Sequence, residues 1–220
     1  MFLQAESEIS AINMVYGAAA AGCRVMTSSS SPGISLKQEG ISYIAGSQLP
    51  CVIVNMQRGG PGLGSIQPGQ ADYFQATKGG GHGDYRNIVL APNSVQEMAD
   101  ITVEAFDLAD KWRNAVMILG DGALGQMMEP VEFKEKASNL PEKTWAATGL
   151  HGRKKHNVIN SLYLQPDLCE KHNQDLQEKF ARIQAEETRW ESLQTEDADI
   201  IVVAYGITSR IAQTAIAKAR

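Results

Sequence analysis

Two carboxylates stand near the start of the chain, between a short apolar run and a segment rich in small residues. Glu6 and Glu8 follow residues 2–5, which we interpret as a strand, and precede or begin a helix predicted at 9–21. Carboxylates beside a helix N-terminus are stabilised by the helix dipole. The purely structural interpretation is therefore that Ser7 caps the helix while Glu6 and Glu8 complement its dipole. A carboxyl group there can also exchange a proton with a bound molecule, which is the catalytic alternative.

An arginine and a histidine, each next to glycines, are further candidates. Arg58 follows an apolar run at 50–54 and precedes a glycine-rich loop, so its guanidinium can hold a ligand carboxylate by two hydrogen bonds. The alternative is that Arg58 only ties that loop by donating to its carbonyls. His82 can donate to a substrate or can simply tether the glycine loop around it. No chemistry is expected from the remaining histidines, His151, His156 and His172.

The composition excludes several classes of partner. With 220 residues, 43% hydrophobic content and 20 glycines, the chain can bury a core and hold one α/β domain plus part of another. A net charge of -5 and a pI near 5.4 give no basic surface for nucleic acid or for an anionic membrane. We therefore expect neither as a partner.

The cysteines and the apolar runs indicate a cytoplasmic protein. Cys23, Cys51 and Cys169 are an odd number without close spacing, so we expect reduced thiols rather than a disulfide framework, a zinc site or an iron–sulfur site. No signal peptide is recognised, and no run approaches the roughly 20 apolar residues of a membrane span.

Strand-like runs alternate with helical segments along the chain. This order predicts an α/β fold, a doubly wound and mainly parallel sheet with helices on both faces. The small residues of 7–22 indicate that the first helix approaches its neighbours closely. Strands are predicted at 2–5, 24–27, 50–54, 87–91, 115–119 and 199–205, and helices at 9–21, 36–45, 94–112, 167–193 and 208–220.

The same pattern predicts three segments. Residues 1–128 form the first α/β domain, and 129–195 form a linker whose long helix carries one apolar stripe. Residues 196–220 begin a second α/β domain with a buried strand, a turn at Gly206 and a helix.

The order of these features resembles the pyrimidine-binding domain of thiamine diphosphate enzymes, and more closely the alpha subunit of the 2-oxoacid:ferredoxin oxidoreductases. In the family, a Glu is at the start of the helix, and a loop similar to Thr-Ser-Gly-Pro-Gly follows the next strand. The corresponding loop of this chain has the sequence Ser-Ser-Ser-Pro-Gly. The segments that carry the resemblance are Gln4 to Glu8 with Ala11 to Met14, Ser31 to Leu36 with Gln38-Glu39, Val54 to Gly62, Gly79 to Asp84, Ala91 to Glu97, and Val203 to Gly206.

The resemblance implies roles for particular residues. Glu8 would meet the ring nitrogen of the aminopyrimidine and pass it a proton, with Glu6 as the runner-up. Ser31, Pro32 and Gly33 would bind the cofactor. Arg58 would hold the substrate carboxylate, and His82 would also bind substrate. The first domain would be a pyrimidine-binding domain that lacks its first strand–helix unit, and the second would resemble the transketolase C-terminal domain.

The resemblance also implies partners. Gly120-Asp121-Gly122 is similar to the start of the diphosphate–magnesium motif, but Asn139 comes too early and Asn157 too late to complete it, and no P-loop is present. Thiamine diphosphate would be shared with a diphosphate-binding beta subunit. Mg²⁺ and the iron–sulfur clusters would lie only on partner subunits, and the assembly would be a dimer of hetero-oligomers that includes the other oxidoreductase subunits. The chain alone is predicted to be inactive.

The implied reaction is the oxidative decarboxylation of a 2-oxoacid with coenzyme A, which gives an acyl-CoA, CO₂ and reduced ferredoxin. The serine-rich loop and the Gly79 to Tyr85 segment look most like the branched-chain type, which acts on 3-methyl-2-oxobutanoate. 2-Oxoglutarate is the alternative substrate, and a non-catalytic assembly subunit is the alternative role. Because the family has an earlier strand–helix unit and a longer second domain, we expect the chain to be truncated at both ends.

Overall fold

The computed structural model describes residues 1–134 and 142–220, and these form an α/β structure around one parallel sheet. The strand order is β1-β2-β4-β3, and every neighbouring pair is parallel. The predicted doubly wound parallel sheet is therefore confirmed. Part of the predicted linker, including Asn139, lies outside the described residues. The strands are β1 Met26–Ser29, β2 Cys51–Gln57, β3 Ile88–Leu90 and β4 Ala115–Asp121.

Seven helices are found in the described residues, and the five predicted ones are among them. Ser94 is the N-cap of the helix that begins at Val95, because its Oγ accepts from the backbone N–H of Glu97 at 3.1 Å. The two short helices, α3 and α5, were not predicted. The helices are α1 Glu8–Ala20, α2 Ser31–Gly46, α3 Tyr73–Lys78, α4 Val95–Trp112, α5 Gly122–Gln126, α6 Pro166–Glu187 and α7 Gly206–Ala219. None of them is long and apolar enough to cross a membrane.

Helices cover both faces of the sheet because the central strands are apolar on both sides. In β2, Cys51 and Ile53 face the core that holds α1 and α2, whereas Val52 faces the core that holds α4. All seven residues of β4 are buried. Such uninterrupted burial is what a central parallel strand requires.

The contact between α1 and α2 differs from the sequence-based expectation. Gly17 of α1 is exposed and has open space around it, so it is not the point of close approach. That point is Gly40 of α2, where an added Cβ would lie 2.5 Å from Cγ2 of Ile12. The helices approach because the glycine of α2 makes room for an isoleucine of α1.

Helix α6 lies against the amino edge of the sheet. Leu176 and Phe180 are buried in the core, as the apolar stripe predicted. Lys179 Nζ donates to Gln48 Oε1 just before β2 begins, at 3.2 Å. The helix ends at Glu187 rather than at the predicted residue 193, and Trp190 beyond its end is 80% exposed.

Two predicted strands are not observed. Residues 2–5 and 199–205 have no strand neighbour in the described structure, and their apolar side chains are largely exposed, with Phe2 at 93% and Val203 at 92%. An apolar run becomes a strand only when another strand completes its backbone hydrogen bonds. Gly206, predicted as a turn, is the first residue of α7.

Candidate functional site

Polar side chains gather at the carboxyl edge of the sheet. Ser31 comes two residues after β1, Arg58 directly follows β2, and Asp121 ends β4. Parallel α/β sheets bind ligands at this edge, where the loops after the strands meet. The structure thus brings together segments that are 27 to 90 residues apart in the chain.

Asp72 joins these segments. Its Oδ2 accepts from Ser31 Oγ at 2.6 Å and from Asn55 Nδ2 at 3.0 Å. Its backbone N–H donates to Gln57 Oε1 at 3.1 Å, and Ser31 Oγ accepts from the backbone N–H of Arg58 at 3.1 Å. Asn55 and Gln57 are buried. The network fixes the first turn of α2 relative to the end of β2 and to the loop that follows it.

The two candidate carboxylates have different environments. Glu6 is exposed, and its Oε2 accepts from Ser10 Oγ at 3.1 Å, while Ser7 caps α1 by accepting from the Ser10 N–H at 3.2 Å. Glu8 is partly buried and faces α2, since an added Cβ on Gly33 would lie 2.9 Å from its Oε1. The described residues give the Glu8 carboxylate no hydrogen bond. It is therefore available to a ligand held against the start of α2.

The surroundings of Glu8 include a buried cation. Lys37 is 1% exposed, and its Nζ donates to Thr27 Oγ1 at 2.8 Å. Burial lowers the pKa of Lys37, and the nearby charge of Glu8 acts in the opposite direction.

Arg58 contacts its own loop. Nη2 donates to the carbonyl of Leu63 at 2.9 Å, which is the contact that the loop-tying interpretation requires. The neighbouring Gly59 N–H donates to the carbonyl of Gln67 at 3.1 Å and closes the loop. However, Arg58 Nε is buried without a hydrogen-bond partner in the described structure. The guanidinium therefore keeps donor capacity that the loop does not use.

His82 lies away from the other candidates. Its side chain is exposed, and its backbone carbonyl accepts from Oγ of Ser42, in the second half of α2, at 2.6 Å. Tyr85 Oη donates to Gln38 Oε1 at 2.7 Å and holds the same loop on α2. Within residues 1–134 and 142–220, no hydrogen bond joins His82 to Glu8, Ser31 or Arg58. The observed contacts are those of a tethered loop.

Asp121 and the cysteines have structural environments. Asp121 Oδ1 accepts from the backbone N–H groups of Ala123 and Leu124 at 2.9 and 3.0 Å, so it caps α5. Cys23, Cys51 and Cys169 are free. Burial raises the pKa of the Cys51 thiol to about 12, so this thiol is not a nucleophile at neutral pH. The described residues contain no group of three His, Cys, Asp or Glu side chains placed to hold a metal ion.

The first turn of α7 reaches this edge of the sheet from the far end of the chain. Gln70 Nε2 donates to the carbonyl of Tyr205 at 3.0 Å, and Thr208 Oγ1 donates to Gln70 Oε1 at 2.8 Å. The rings of Tyr73 and Tyr205 lie 5.7 Å apart. Gln70 and Tyr73 flank Asp72, so the segment 70–73 joins α7 to the Asp72 network.

Sequence reasoning missed four residues of this site: Lys37, Asn55, Gln57 and Asp72. Asn55 and Gln57 carried a usable signal, since polar residues at alternate positions of a buried strand end point into one site. Lys37 carried a weaker signal, as a lysine four residues after Gly33 on the same helix face. Asp72 carried none, because its contacts come from residues distant in sequence.

The fold and this edge define a doubly wound α/β domain with its polar groups where such domains bind cofactors. A family model described as pyruvate flavodoxin/ferredoxin oxidoreductase, thiamine diphosphate-binding, matches residues 1–191. The chain therefore belongs to this family, and the family membership that the sequence resemblance predicted is confirmed.

Curated relatives carry the names of two kinds of enzyme subunit. The ketoisovalerate oxidoreductase subunit VorB of Methanothermobacter marburgensis is 60% identical over 220 residues, which is 100% of this chain and 62% of the relative. The 2-oxoglutarate synthase subunit KorA of Methanothermobacter thermautotrophicus is 35% identical over 247 residues, which cover 100% of this chain and 65% of the relative. The chain thus spans less than two thirds of the length of these relatives.

A solved structure has the same fold. The 2-oxoglutarate:ferredoxin oxidoreductase from Magnetococcus marinus, with 2-oxoglutarate, coenzyme A and succinyl-CoA bound, matches with a TM-score of 0.76 and 27% identity. The match covers 98% of this chain and 43% of that chain. It extends over β1 to β4 and the helices on both faces of the sheet.

Proposed function

We propose that this chain belongs to a 2-oxoacid:ferredoxin oxidoreductase and supplies the protein surface that meets the aminopyrimidine of thiamine diphosphate. The observation that carries the proposal is the position of Glu8. Its carboxylate is partly buried, lacks a hydrogen bond in the described structure, and lies against Gly33 in the first turn of α2. The family of the chain is described as thiamine diphosphate-binding, which supports this choice of cofactor.

The residues at this edge fit an aminopyrimidine ring. Gly33 has no side chain, and Ser29 Oγ and Glu8 Oε1 lie where its Cβ would be, so the glycine lets the Glu8 carboxylate pack against the backbone of α2 beside the proposed ring. Ser31 and Pro32 lie in the same turn, and the Asp72 network holds that turn in place. When bound, thiamine diphosphate supplies a carbon nucleophile and an electron sink for decarboxylation.

Glu8 is proposed to hold and move a proton between its Oε1 and the ring nitrogen. A carboxyl group placed for proton transfer typically contributes about 10²- to 10⁴-fold to a rate. Glu6 is a weaker candidate, because it is exposed and already accepts from Ser10.

Arg58 is proposed to bind the carboxylate of the 2-oxoacid. Its buried Nε has no partner in the described structure, and a carboxylate would satisfy it together with the neighbouring amino group. Its contact with Leu63 would then serve to orient the guanidinium rather than to exhaust it. His82 is a weaker candidate for substrate binding, because reaching the site from its present position requires its loop to move.

The proposed substrate is a branched-chain 2-oxoacid, and the proposed products are an acyl-CoA, CO₂ and reduced ferredoxin. The support is the name of the relative that is 60% identical, a ketoisovalerate oxidoreductase subunit. 2-Oxoglutarate is the second candidate, supported by the KorA relative and by the solved structure with 2-oxoglutarate bound.

The remaining chemistry is assigned to partners. We propose that a beta subunit binds the diphosphate and Mg²⁺, that iron–sulfur clusters lie on partner subunits, and that the assembly is a dimer of hetero-oligomers. The support comes from Asp121, which lies in the segment similar to the diphosphate motif. Its Oδ1 already accepts the hydrogen bonds that cap α5. A non-catalytic assembly role remains the competing proposal for the chain.

Calorimetry tests the proposal. Thiamine diphosphate with Mg²⁺ is titrated into this chain, into the candidate beta subunit, and into their mixture. The proposal expects binding only in the mixture, followed by reduction of ferredoxin on adding CoA with 3-methyl-2-oxobutanoate and less with 2-oxoglutarate. Binding to this chain alone would contradict the shared site, and a mixture that neither binds nor turns over would favour the assembly role.

A further inference from the structure

A pocket of about 340 Å³ lies at the amino edge of the sheet, away from the proposed cofactor site at the carboxyl edge. It is lined by α6, by the end of α4 and by the residues just before β2, including Gln48, Trp112, Arg113 and Lys179. Its volume is within the range of small-molecule binding sites. The pocket is therefore a second place on this chain where a ligand fits.

Two cations share this pocket and bond to neutral groups. Lys179 Nζ donates to Gln48 Oε1 and to the backbone carbonyl of Arg113, both at 3.2 Å. Arg113 Nε donates to the backbone carbonyl of Gln48 at 3.1 Å, and its guanidinium carbon lies 4.5 Å from the centre of the Trp145 ring. Neither cation forms an ion pair with a carboxylate within residues 1–134 and 142–220. Both charges are thus held beside dipoles and an aromatic ring only.

The environment of these two cations is unfavourable for their charge. Burial, with a smaller effect of the neighbouring Arg113, lowers the pKa of Lys179 to about 8. Burial also lowers the pKa of Arg113. Positive charges that lack a nearby negative charge are costly to desolvate. An anion placed between Arg113 and Lys179 would replace their mutual repulsion by two attractions.

The carboxylates around the pocket have other partners. Asp175 Oδ1 lies 2.7 Å from Lys171 Nζ, and the charge of Glu178 acts on the same lysine. The other ion pairs beside the pocket are those of Lys111 with Glu186 at 3.3 Å and Glu187 at 2.7 Å, and of Arg182 with Glu186 at 3.8 Å. In the part of the chain that the structure describes, the cations left without a carboxylate here are therefore Arg113 and Lys179.

We propose that Arg113 and Lys179 form a binding site for a phosphate group. A guanidinium binds phosphate by two parallel hydrogen bonds, and an ammonium group binds it as a point charge. Gln48 uses only Nε of Arg113, so both terminal amino groups remain for the ligand. Because the site lies at the amino edge, it does not depend on the role of Glu8 and goes beyond the proposed function.

The first test is calorimetric titration of inorganic phosphate into the purified chain at constant ionic strength. We expect saturable binding to the wild type, and an affinity at least about tenfold lower in Arg113→Met and in Lys179→Met. Lys218→Met is the matched control, because it removes an exposed lysine from the last turn of α7. It should bind phosphate like the wild type. Urea titration shows that each variant is folded.

A second measurement uses the wild type alone and so does not depend on the folding of a variant. Reductive methylation modifies the neutral form of a lysine amine, and mass spectrometry of the digested protein reports each site separately. Bound phosphate would cover Lys179 and keep its amine protonated, so its labelling should fall severalfold in saturating phosphate. Labelling of Lys218 should not change.

Adenosine monophosphate, titrated in the same way, identifies the source of the phosphate group. Tighter binding of the nucleotide than of phosphate, lost in both variants, supports the site as one for a phosphorylated small molecule. Equal binding of the two supports a site for the free ion. The inference is overturned if neither binds saturably, if Lys218→Met weakens binding as much as the pocket variants do, or if phosphate leaves the labelling of Lys179 unchanged.

Discussion

Replacing Gly33 by alanine adds a single methyl group beside Glu8 and therefore tests this part of the site. A Cβ there would lie 2.0 Å from Ser29 Oγ and 2.9 Å from Glu8 Oε1, so both side chains must move. Because these atoms are the ends of side chains, Gly33→Ala should fold normally. We expect the affinity of the assembled complex for thiamine diphosphate to fall about tenfold, which is roughly 1.4 kcal/mol, measured by calorimetry.

Gly17→Ala is the matched control for that variant. Gly17 lies in α1, is exposed, and has nothing within 4 Å of an added Cβ. Alanine is preferred over glycine inside a helix, so the free energy of unfolding should rise by about 0.5–1 kcal/mol in denaturant titration. Cofactor affinity should not change. Equal affinities for Gly33→Ala and the wild type would show that Glu8 does not face the ligand from this turn.

Only part of the site could be predicted residue by residue. Glu8, Ser31 to Gly33 and Arg58 were predicted because their short segments resemble a family pattern. Lys37 and Asp72 were missed because their importance comes from contacts across 10 to 41 residues of sequence. A sequence gives the order of the chemical groups, but only the folded chain shows that Glu8 of α1 lies against Gly33 of α2.

Among the elements, the contact between α1 and α2 depends on Gly40. An added Cβ would lie 2.5 Å from Cγ2 of Ile12, which is 1% exposed and cannot move away. Gly40→Ala should therefore overpack the core and lower the free energy of unfolding by about 1–3 kcal/mol, despite the better helix propensity of alanine. Chemical denaturation compared with Gly17→Ala measures it. A Gly40→Ala protein as stable as Gly17→Ala would contradict this packing.

The attachment of α6 should depend on pH through Lys179. Burial, with a smaller effect of nearby Arg113, lowers the pKa of Lys179 from 10.5 to about 8. Between pH 8 and 10.5 the unfolded chain binds this proton and the folded chain does not, so folding becomes more favourable as pH rises. Below pH 8 the cost of the buried charge is fully present.

We compare the free energy of unfolding of the wild type with that of Lys179→Met, because the contributions of the other titrating groups cancel in the difference. From pH 8 to 10.5 the wild type should gain about 2–3 kcal/mol in free energy of unfolding relative to the variant. Urea titrations at several pH values measure this difference. A difference independent of pH would mean that Lys179 is solvated in the folded chain.

The elements that the sequence predicted best are those with their own local signals. Helix α4 has a local cap at Ser94, and β2 and β4 are continuous apolar runs. Residues 2–5 and 199–205 have comparable apolar character, yet the described structure pairs neither with a neighbour. Strand formation depends on a partner strand, and a local pattern contains no information about the partner.

At the scale of the whole molecule, the two edges of the sheet have different roles. The amino edge is covered by α6 through buried Leu176 and Phe180. The carboxyl edge gathers Glu8, the Asp72 network and Arg58, and its polar groups keep unused hydrogen-bonding capacity. This arrangement is consistent with the proposal that a second subunit completes the cofactor site over the carboxyl edge.

The most direct measurement is the turnover of the reconstituted complex with Glu8→Gln, beside Glu6→Gln as the matched control. Both changes remove one carboxylate near the start of α1 and keep the shape of the side chain. We expect Glu8→Gln to lower ferredoxin reduction by about a hundredfold or more, whereas Glu6→Gln should stay close to the wild type. Equal activity in the two variants, or a loss confined to Glu6→Gln, would contradict the assignment of the proton transfer to Glu8.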